Sequence, residues 1–457
     1  MIIALTIVVI VFYLTLTRPI LGLIAFLVLS FSIPLDIINA GNLGTATKIA
    51  GLGLAGGYFL RALLLDLKLD FTPIFMSSFF FLMVWRIFES SRSQGLQAEM
   101  WIKSVSSLPE MVFTVVLFFI LVLIVCNVLK TKDDFFYISR WMVYGISISA
   151  FYSIFISLGI VDPMPEAASN WEMWGRASGL RDNPNDFIAY NGLAIGLQLP
   201  FIMTILNSKS KLFTKDFITY SVLLVVMLYG QILSGSRTGL LMIGVMGFAS
   251  LILYRKELNY KRISIAFMAF IIFILAIIFL GLINPLNLVH LFDLPIISDL
   301  FSGNSYVFDA STLHRLERQM IVLEMISKNP FFGIGLGNYE LFMGDILGYG
   351  SSSHNFYVET LGEQGLIGLS LLFALLFEMF RNFIKARKLF MLMKSHTFIL
   401  LTNGFLIASS GLCFERLFSS AEVTTKIIYI LFGISYAVLK IAEIQKSETQ
   451  RTLADVK

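Results

Sequence analysis

The amino-acid sequence predicts an all-α polytopic membrane protein with about 12–13 transmembrane helices and a large external loop that contains an amphipathic helix. Three observations support this fold class. The chain of 457 residues is 57% hydrophobic and only 14% charged, which is more apolar than a soluble domain of this length can bury. The apolar residues form continuous Leu-, Ile- and Phe-rich runs close to the ~20 residues that cross a bilayer as a helix. The lysines and arginines cluster in alternate connections between these runs.

The apolar runs are the candidate spans of one integral membrane domain, residues 1–457. In chain order they are residues 2–17, 19–35, 43–63, 72–89, 110–129, 135–160, 186–206, 217–233, 237–254, 262–282, 358–380, 396–414 and 424–440. The first run lacks a basic flank and a small-residue cleavage site, so we interpret it as a retained span and not as a signal peptide. All of these spans together place the N-terminus outside. Because the first two runs are short and are separated only at Arg18 and Pro19, one span fewer agrees equally well with the sequence.

The distribution of positive charge predicts which connections face the cytoplasm. The positive-inside rule assigns to that side the basic connections and a short C-terminal tail, residues 441–457. The basic connections contain Lys130 and Lys132; Lys209, Lys211 and Lys215; Arg255, Lys256, Lys261 and Arg262; and Arg381, Lys385, Arg387 and Lys388. The connections that alternate with them are external: residues 90–109, 161–185, 234–236, 283–357 and 415–423. From residue 110 onward, this orientation does not depend on the number of spans.

Residues 283–357 form a large periplasmic loop in this topology, far longer than a connection between two helices requires. The sequence predicts a helix within it, because Ser311 or Thr312 can cap the start and Asn329 with Pro330 ends the apolar pattern. The residues of that pattern are Leu313, Leu316, Met320 and Leu323. The glycine-rich residues 331–337 then predict a tight return to the membrane surface.

His354 is the candidate catalytic residue. Only four histidines occur in the chain, and this one follows three serines and precedes a predicted apolar helix at the external boundary. A helix N-terminus favours the neutral imidazole, which is a general base suited to neutral pH. The residues alone are also compatible with His354 acting only as an interfacial capping residue.

The predicted helix after His354 carries small and acidic residues. Gly362, Gly365 and Gly368 form a small-residue stripe on which a neighbouring helix can pack closely. Glu359 and Glu363 lie one helical turn apart. They either face a cavity or a cation, or lie within the headgroup layer.

The short external connection at residues 234–236 is followed by a candidate anion ligand, Arg237. Its guanidinium, together with the nearby hydroxyl of Ser236, suits a diphosphate. The alternative is that Arg237 only anchors the end of its helix among the lipid headgroups.

Further arginines lie in the longer external segments. Arg315 and Arg318 are neighbours on the predicted loop helix and present either a basic face or a solvated face paired with Glu317. Arg176 and Arg181 lie between the tryptophan-rich part of residues 161–185 and the next span. These two arginines either add to an external anion site or are simply solvated.

The sequence contains no pattern typical of a metal, nucleotide or nucleic-acid site. It has no external Asp-x-Asp pair, no His/Cys cluster and no phosphate-binding glycine loop, so we predict no metal and no cofactor. The basic residues lie in short connections, so nucleic acid is not a predicted partner. An activated substrate must therefore reach the outer face already energised.

Taken together, these motifs resemble the O-antigen ligase and O-antigen polymerase superfamily of bacterial membrane glycosyltransferases. The most specific element is His354-Asn355, nine residues, then Gly365-x-x-Gly368, which is similar to the ligase signature around its essential histidine. The other elements are Ser236 to Gly239; Arg315 followed by Pro330 and Gly333 to Gly335; and Arg176 to Asn185. The resemblance covers about residues 170–370, and the N-terminal third adds only its hydropathy.

The resemblance implies a multi-pass helical bundle in the bacterial inner membrane with its active site on the periplasmic side. It implies that His354 activates the acceptor hydroxyl and that arginines hold undecaprenyl diphosphate. The residues expected to bind the donor diphosphate are Arg237, Arg315, Arg318 and Arg176. The residues expected to support the site are Asn355, Glu363 and Ser236.

The predicted reaction is a metal-independent, inverting transfer of an undecaprenyl-diphosphate-linked glycan to an acceptor sugar hydroxyl. An O-antigen ligase would use lipid A-core as the acceptor, whereas a surface-polysaccharide polymerase would use another lipid-linked repeat unit. The sequence leaves both open. A flippase for lipid-linked oligosaccharides is an alternative of another class. It would typically place paired charges or broken helices at mid-membrane depth, whereas the polar groups here gather at the outer boundary among membrane lipids.

Overall fold

The computed structural model describes residues 2–32, 46–100, 108–163, 176–181, 183–207, 214–255, 310–347, 353–419 and 422–455. Within these residues the chain is helical and contains no strand, which confirms the all-α fold class. The helices are α1 (Ile2–Thr17), α2 (Pro19–Ser32), α3 (Ala46–Leu64), α4 (Thr72–Phe75), α5 (Ser78–Met100), α6 (Leu108–Val128), α7 (Lys132–Ser157), α8 (Pro184–Asn207), α9 (Lys215–Leu233), α10 (Arg237–Leu253), α11 (Ala310–Lys328), α12 (Tyr339–Leu347), α13 (Phe356–Leu392), α14 (His396–Glu415) and α15 (Glu422–Asp455).

Five of the described helices, α8, α9, α13, α14 and α15, contain a stretch long and apolar enough to cross a membrane. Four shorter apolar stretches lie at Leu5–Thr17, Pro19–Ser32, Val115–Val128 and Arg237–Leu253. Many large apolar side chains on these helices are exposed, including Phe248 and Phe377. Such a surface is suited to lipid, so the chain is a polytopic membrane protein.

Most predicted spans coincide with described helices, but several boundaries differ. The run at 262–282 lies outside the described residues, as do residues 283–309 and 348–352 of the long loop. The run at 72–89 is divided into α4 and α5, which separate at Met76 and Ser77. The predicted tail is helical as far as Asp455, because α15 continues without a break beyond its apolar part.

The predicted loop helix is present as α11 and ends, as expected, directly before Asn329 and Pro330. The described part of the helix begins at Ala310, so the backbones of Ser311 and Thr312 lie within the helix and not at the position before it that a cap residue takes. The cap prediction was wrong because hydroxyl residues are common both at the cap and in the first turn of a helix.

Helix α14 lies at the centre of the bundle, between α8, α10 and α13. Its contact with α8 is close, because a Cβ on Gly196 would lie 2.8 Å from Ala408 and a Cβ on Gly404 would lie 2.3 Å from Pro200. Small residues on both helices therefore let the two backbones approach, as in other membrane bundles. The end of α14 and the starts of α8, α10 and α13 meet at one end of the bundle, where the candidate site lies.

Candidate functional site

Two connecting segments, residues 176–181 and 234–236, meet at the start of α10. The Ala177 N–H donates to the Leu233 carbonyl at 3.0 Å, and Arg176 Nε donates to the Ser234 carbonyl at 2.8 Å. The Ser236 hydroxyl donates to Oδ1 of Asn185 at 3.1 Å. These bonds join the segment before α8, and the first turn of α8 itself, to the turn between α9 and α10.

Arg237 is the first residue of α10, directly after the N-cap residue Ser236. It is half-buried and lies on the same turn that Arg176 contacts. The structure therefore brings Arg176, Ser236 and Arg237 together. Arg181 has a different position, since its Nη2 donates to the carbonyls of Ser30 and Phe31 at the end of α2.

His354 lies directly before α13, where the sequence placed it. Asn355 is the N-cap residue, and its Oδ1 accepts the N–H groups of Tyr357 and Val358, both at 3.1 Å. The His354 side chain is half-buried, and its backbone has a φ of +54°. A left-handed conformation is uncommon outside glycine, so the turn that presents the imidazole must be fixed by its surroundings.

The first turn of α13 is held against the end of α14. The Phe356 N–H donates to the carbonyls of Arg416 and Ser419 at 3.0 and 3.1 Å, and the Tyr357 hydroxyl donates to the Cys413 carbonyl at 2.8 Å. These bonds connect the His354 turn to the central helix of the bundle.

Arg416 also takes part in a buried ion pair that the sequence analysis did not identify. Its Nη2 lies 3.3 Å from Oε2 of Glu415, and both side chains are fully buried. A pair of adjacent charges between Phe414 and Leu417 was the available signal. Its burial follows from packing that is not visible in the sequence.

Helix α13 is broken at Gly365, which has φ 64° and ψ −169°. The main chain of the loop after α11 docks into this break. The Ile334 N–H donates to the Gly362 carbonyl at 3.0 Å, and the Gly335 N–H donates to the Glu363 carbonyl at 2.9 Å. The loop therefore forms bonds with helix carbonyls next to the break.

The same docking satisfies N–H groups beyond the break. The Leu366 N–H donates to the Pro330 carbonyl at 2.9 Å, and the Ile367 N–H donates to the Phe331 carbonyl at 3.3 Å. A Cβ on Gly365 would lie 2.2 Å from the Phe331 carbonyl oxygen, so no larger residue fits there without displacing the loop. The glycine-rich return predicted at 331–337 is thus present and forms part of the site.

Aromatic residues of α5 support the docked loop. Trp85 Nε1 donates to the Gln364 carbonyl at 3.3 Å, and the Trp85 ring stacks on Phe332 with centroids 5.6 Å apart. Phe88 lies beside the same Phe332 ring. Helix α5 therefore holds both the broken part of α13 and the loop that fills it.

The predicted small-residue stripe on α13 was only partly correct. Gly362 does face a helix, because a Cβ there would meet Met325 and Val322 of α11. Gly365 faces the loop, and Gly368 faces Trp85. A glycine that packs against a helix and one that breaks a helix look alike in sequence, which is why the break was not predicted.

Glu363 is almost completely buried, and its Oε1 accepts the Tyr339 N–H at the start of α12 at 3.1 Å. Free N–H groups and the helix dipole favour a carboxylate at that position. The described contact therefore differs from the predicted surroundings, which were a cavity, a cation or the headgroup layer.

Tyr339 joins the loop helices to the His354 turn, and sequence reasoning missed it. Its hydroxyl donates to the Arg318 carbonyl at 2.8 Å. Burial raises the pKa of Tyr339, the carboxylates of Glu359 and Glu363 add to the rise, and Arg318 and a hydrogen bond with Ser353 oppose it. The hydroxyl therefore stays a proton donor. The structure brings Arg318 near this cluster, whereas the Arg315 side chain lies outside the described residues.

Residues 222–373 match a family model described as Wzy_C, O-antigen ligase, which covers about a third of the chain. A comparison with curated proteins gave no match. The matched region contains the Arg237 turn, α11, α12 and the His354 turn. The match supports an activity of the O-antigen ligase or polymerase type, glycosyltransferase-like and acting on lipid-linked glycans. Residues 222–373 are therefore similar to the O-antigen ligase family, and this similarity supports the superfamily that the sequence motifs resemble.

Proposed function

We propose that this chain transfers a glycan from undecaprenyl diphosphate to an acceptor sugar hydroxyl at the periplasmic face of the bacterial inner membrane. The acceptor is lipid A-core, so the chain acts as an O-antigen ligase. One observation carries the proposal. A half-buried histidine lies on an anchored turn at the start of α13, at the same end of the bundle as the Arg237 turn.

His354 acts as the general base in this proposal. It takes the proton of the acceptor hydroxyl, and the acceptor oxygen attacks the anomeric carbon from the face opposite the diphosphate. The bond from the anomeric carbon to the diphosphate oxygen breaks, and the leaving group departs with the electron pair. The proton remains on the imidazole until it is released to solvent or to the departing diphosphate. The product has inverted configuration at the anomeric carbon.

The arginines stabilise negative charge that grows on the leaving diphosphate. Arg237 and Arg315 bind the diphosphate, and Arg176 and Arg318 add positive charge to the same region. Asn355 caps α13 and so fixes the turn that carries His354. Ser236 and Glu363 hold the Arg237 turn and the loop helices, respectively, through the bonds described above.

The test uses the purified full chain in liposomes with a lipid-linked glycan donor and lipid A-core acceptor. His354→Ala is expected to lower turnover by on the order of 10²–10⁴ while donor binding survives, because only the base is lost. His396→Ala is the matched control, since His396 also begins a helix but lies exposed at the other end of α13. The control should retain wild-type turnover. Near-normal turnover of His354→Ala at equal protein level would contradict the proposal, and so would loss of activity on metal chelation.

Deletion in cells distinguishes the ligase from the polymerase. Loss of a ligase leaves long chains on the carrier lipid, whereas loss of a polymerase leaves surface core that bears one repeat unit. A transporter would give no product in the liposome assay even with both substrates present.

A further inference from the structure

The turn that carries His354 is fixed on both sides of the histidine. On the helix side, Asn355 accepts two N–H groups of the first turn of α13. On the other side, Ser353 is fully buried. Between them, His354 has a left-handed backbone, which is uncommon for L-residues although Asn, Asp and His adopt it more often than the others. The direction of the imidazole therefore depends on what holds these two neighbours.

Ser353 is held by Glu359. Its N–H donates to Oε2 of Glu359 at 3.3 Å. Its hydroxyl lies 3.1 Å from the same oxygen and 2.9 Å from the Asn355 carbonyl oxygen, so its one proton is shared between these two acceptors. The hydroxyl also accepts the Asn355 N–H at 3.0 Å. One carboxylate oxygen thus lies within hydrogen-bond distance of both donors of Ser353, and Ser353 also binds the main chain of the cap residue Asn355.

A carboxylate is suited to this role. It accepts both donors at once, which a neutral hydroxyl cannot do as strongly. Glu359 lies in the first turn of α13, where the helix dipole favours negative charge. Hydrogen bonds thus connect Glu359 to Ser353, Ser353 to Asn355, and Asn355 to the first turn of α13. They hold the residues on both sides of His354.

We infer that Glu359 is a positioning residue, which holds Ser353 and thereby fixes the turn that presents His354 to the acceptor hydroxyl. The inference rests on the proposed function, in which His354 is the base. A base that is displaced by about 1 Å loses roughly 10²-fold in rate, because proton transfer needs hydrogen-bond geometry. Loss of the Glu359 contact should therefore reduce the rate of the chemical step and leave donor binding intact.

The experiment measures kcat and KM for the donor with the full chain in liposomes. Glu359→Ala and Ser353→Ala are each expected to lower kcat by roughly 10–100-fold, with KM changed by no more than about two-fold. The double variant should be no slower than the slower single variant, because both changes remove the same contact. Glu359→Gln should recover part of kcat, since its amide oxygen still accepts the Ser353 hydroxyl. Glu324→Ala is the matched control: this exposed carboxylate on α11 pairs only with Lys328 among the described contacts and should leave kcat unchanged.

Wild-type kcat in both single variants, or effects that multiply in the double variant, would overturn the role of Glu359. If Glu359→Ala does not accumulate in the membrane, Ser353→Ala and Glu359→Gln decide the question by the same comparison. The outcomes separate from those of the proposed function. Full activity of His354→Ala would contradict the assignment of His354 as the base. An inactive His354→Ala, together with wild-type activity of the Glu359 and Ser353 variants, would contradict only the positioning role of Glu359.

Discussion

His354 and Arg237 each lie at the first turn of a helix, and each turn is tied to a segment distant in the chain. The Phe356 N–H after His354 donates to carbonyls at the end of α14, and Ser236 before Arg237 donates to Asn185 in the first turn of α8. A small change at either turn is therefore transmitted to a packed helix end, not to a mobile loop. At this scale, function depends on backbone placement as much as on side-chain identity.

Arg237→Lys should lower turnover although it keeps the positive charge. An ammonium cannot reproduce the two-pronged guanidinium contact with a diphosphate, and one lost charge-assisted hydrogen bond costs about 1.5–3 kcal/mol, or roughly ten-fold or more in rate. The liposome assay measures the effect. Arg255→Lys is the control, because Arg255 is exposed just beyond the other end of α10. Equal turnover of both variants would remove Arg237 from the diphosphate site.

The positions of His354, Ser236 and Arg237 were predictable, because each follows from a short local pattern at a helix start. Tyr339, Ser353 and Arg416 were not identified as parts of the site. Their roles come from contacts with residues that are remote in sequence or from conformations that no local pattern encodes. The Tyr339 hydroxyl, for example, binds the carbonyl of Arg318 two helices away from α13.

Helices α11, α12 and α13 form one unit because the loop between the first two docks into the broken third. The break at Gly365 lies near the same end of α13 as His354 and not in the middle of the helix. The helix that carries Arg318 and the helix that carries His354 therefore keep a fixed relation through these main-chain hydrogen bonds.

Gly365→Ala should destabilise the chain and abolish this docking. A left-handed backbone costs an alanine roughly 1–2 kcal/mol, and its Cβ would also collide with the Phe331 carbonyl. Thermal unfolding in detergent should show a lower Tm together with reduced turnover. Gly244→Ala is the control, because that helical glycine of α10 has open space around it and alanine favours a helix. A Gly365→Ala protein as stable as the control would show that the break is not required.

The helices themselves were largely predictable from the sequence, since apolar runs of membrane length leave few alternatives. Helix α9 begins and ends within two residues of the run predicted at 217–233. The break in α13 was not predictable, because its cause is a loop about thirty residues earlier that supplies the missing hydrogen-bond partners. Hydropathy predicts which segments lie in lipid, but it does not predict which main-chain groups form hydrogen bonds with one another.

At the scale of the whole molecule, α13 is the helix from which the orientation in the membrane can be tested. After the break at Gly365, residues 366–392 extend about 40 Å, which exceeds the ~30 Å apolar core of a bilayer, so a helix of this length that crosses has its two ends on opposite sides. Loop charge predicts that the Lys394 end is cytoplasmic and the His354 end periplasmic.

Cysteine labelling tests this orientation in intact cells. In a background where Cys126 and Cys413 are replaced by serine, Glu340→Cys should react with a membrane-impermeant maleimide added outside. Lys394→Cys should react only after the inner membrane is opened. Both positions are exposed, but Glu340 lies on α12 beside the first turns of α13, whereas Lys394 lies just beyond the other end of α13. The reverse pattern would place the His354 turn in the cytoplasm and contradict the proposed donor and acceptor.

The docking of the loop at Gly365 determines which residues of the loop and of α13 are constrained by the fold. The bonds run between main-chain atoms, so they constrain the path of residues 330–335 and few of the side chains around them. The helices that flank this short path can change their exposed residues while the connection to α13 is kept. Substitutions on the exposed faces of α11 and α12 are therefore expected to leave the docking intact, whereas changes that displace the main chain of residues 330–335 or add a side chain at Gly365 are expected to disrupt it.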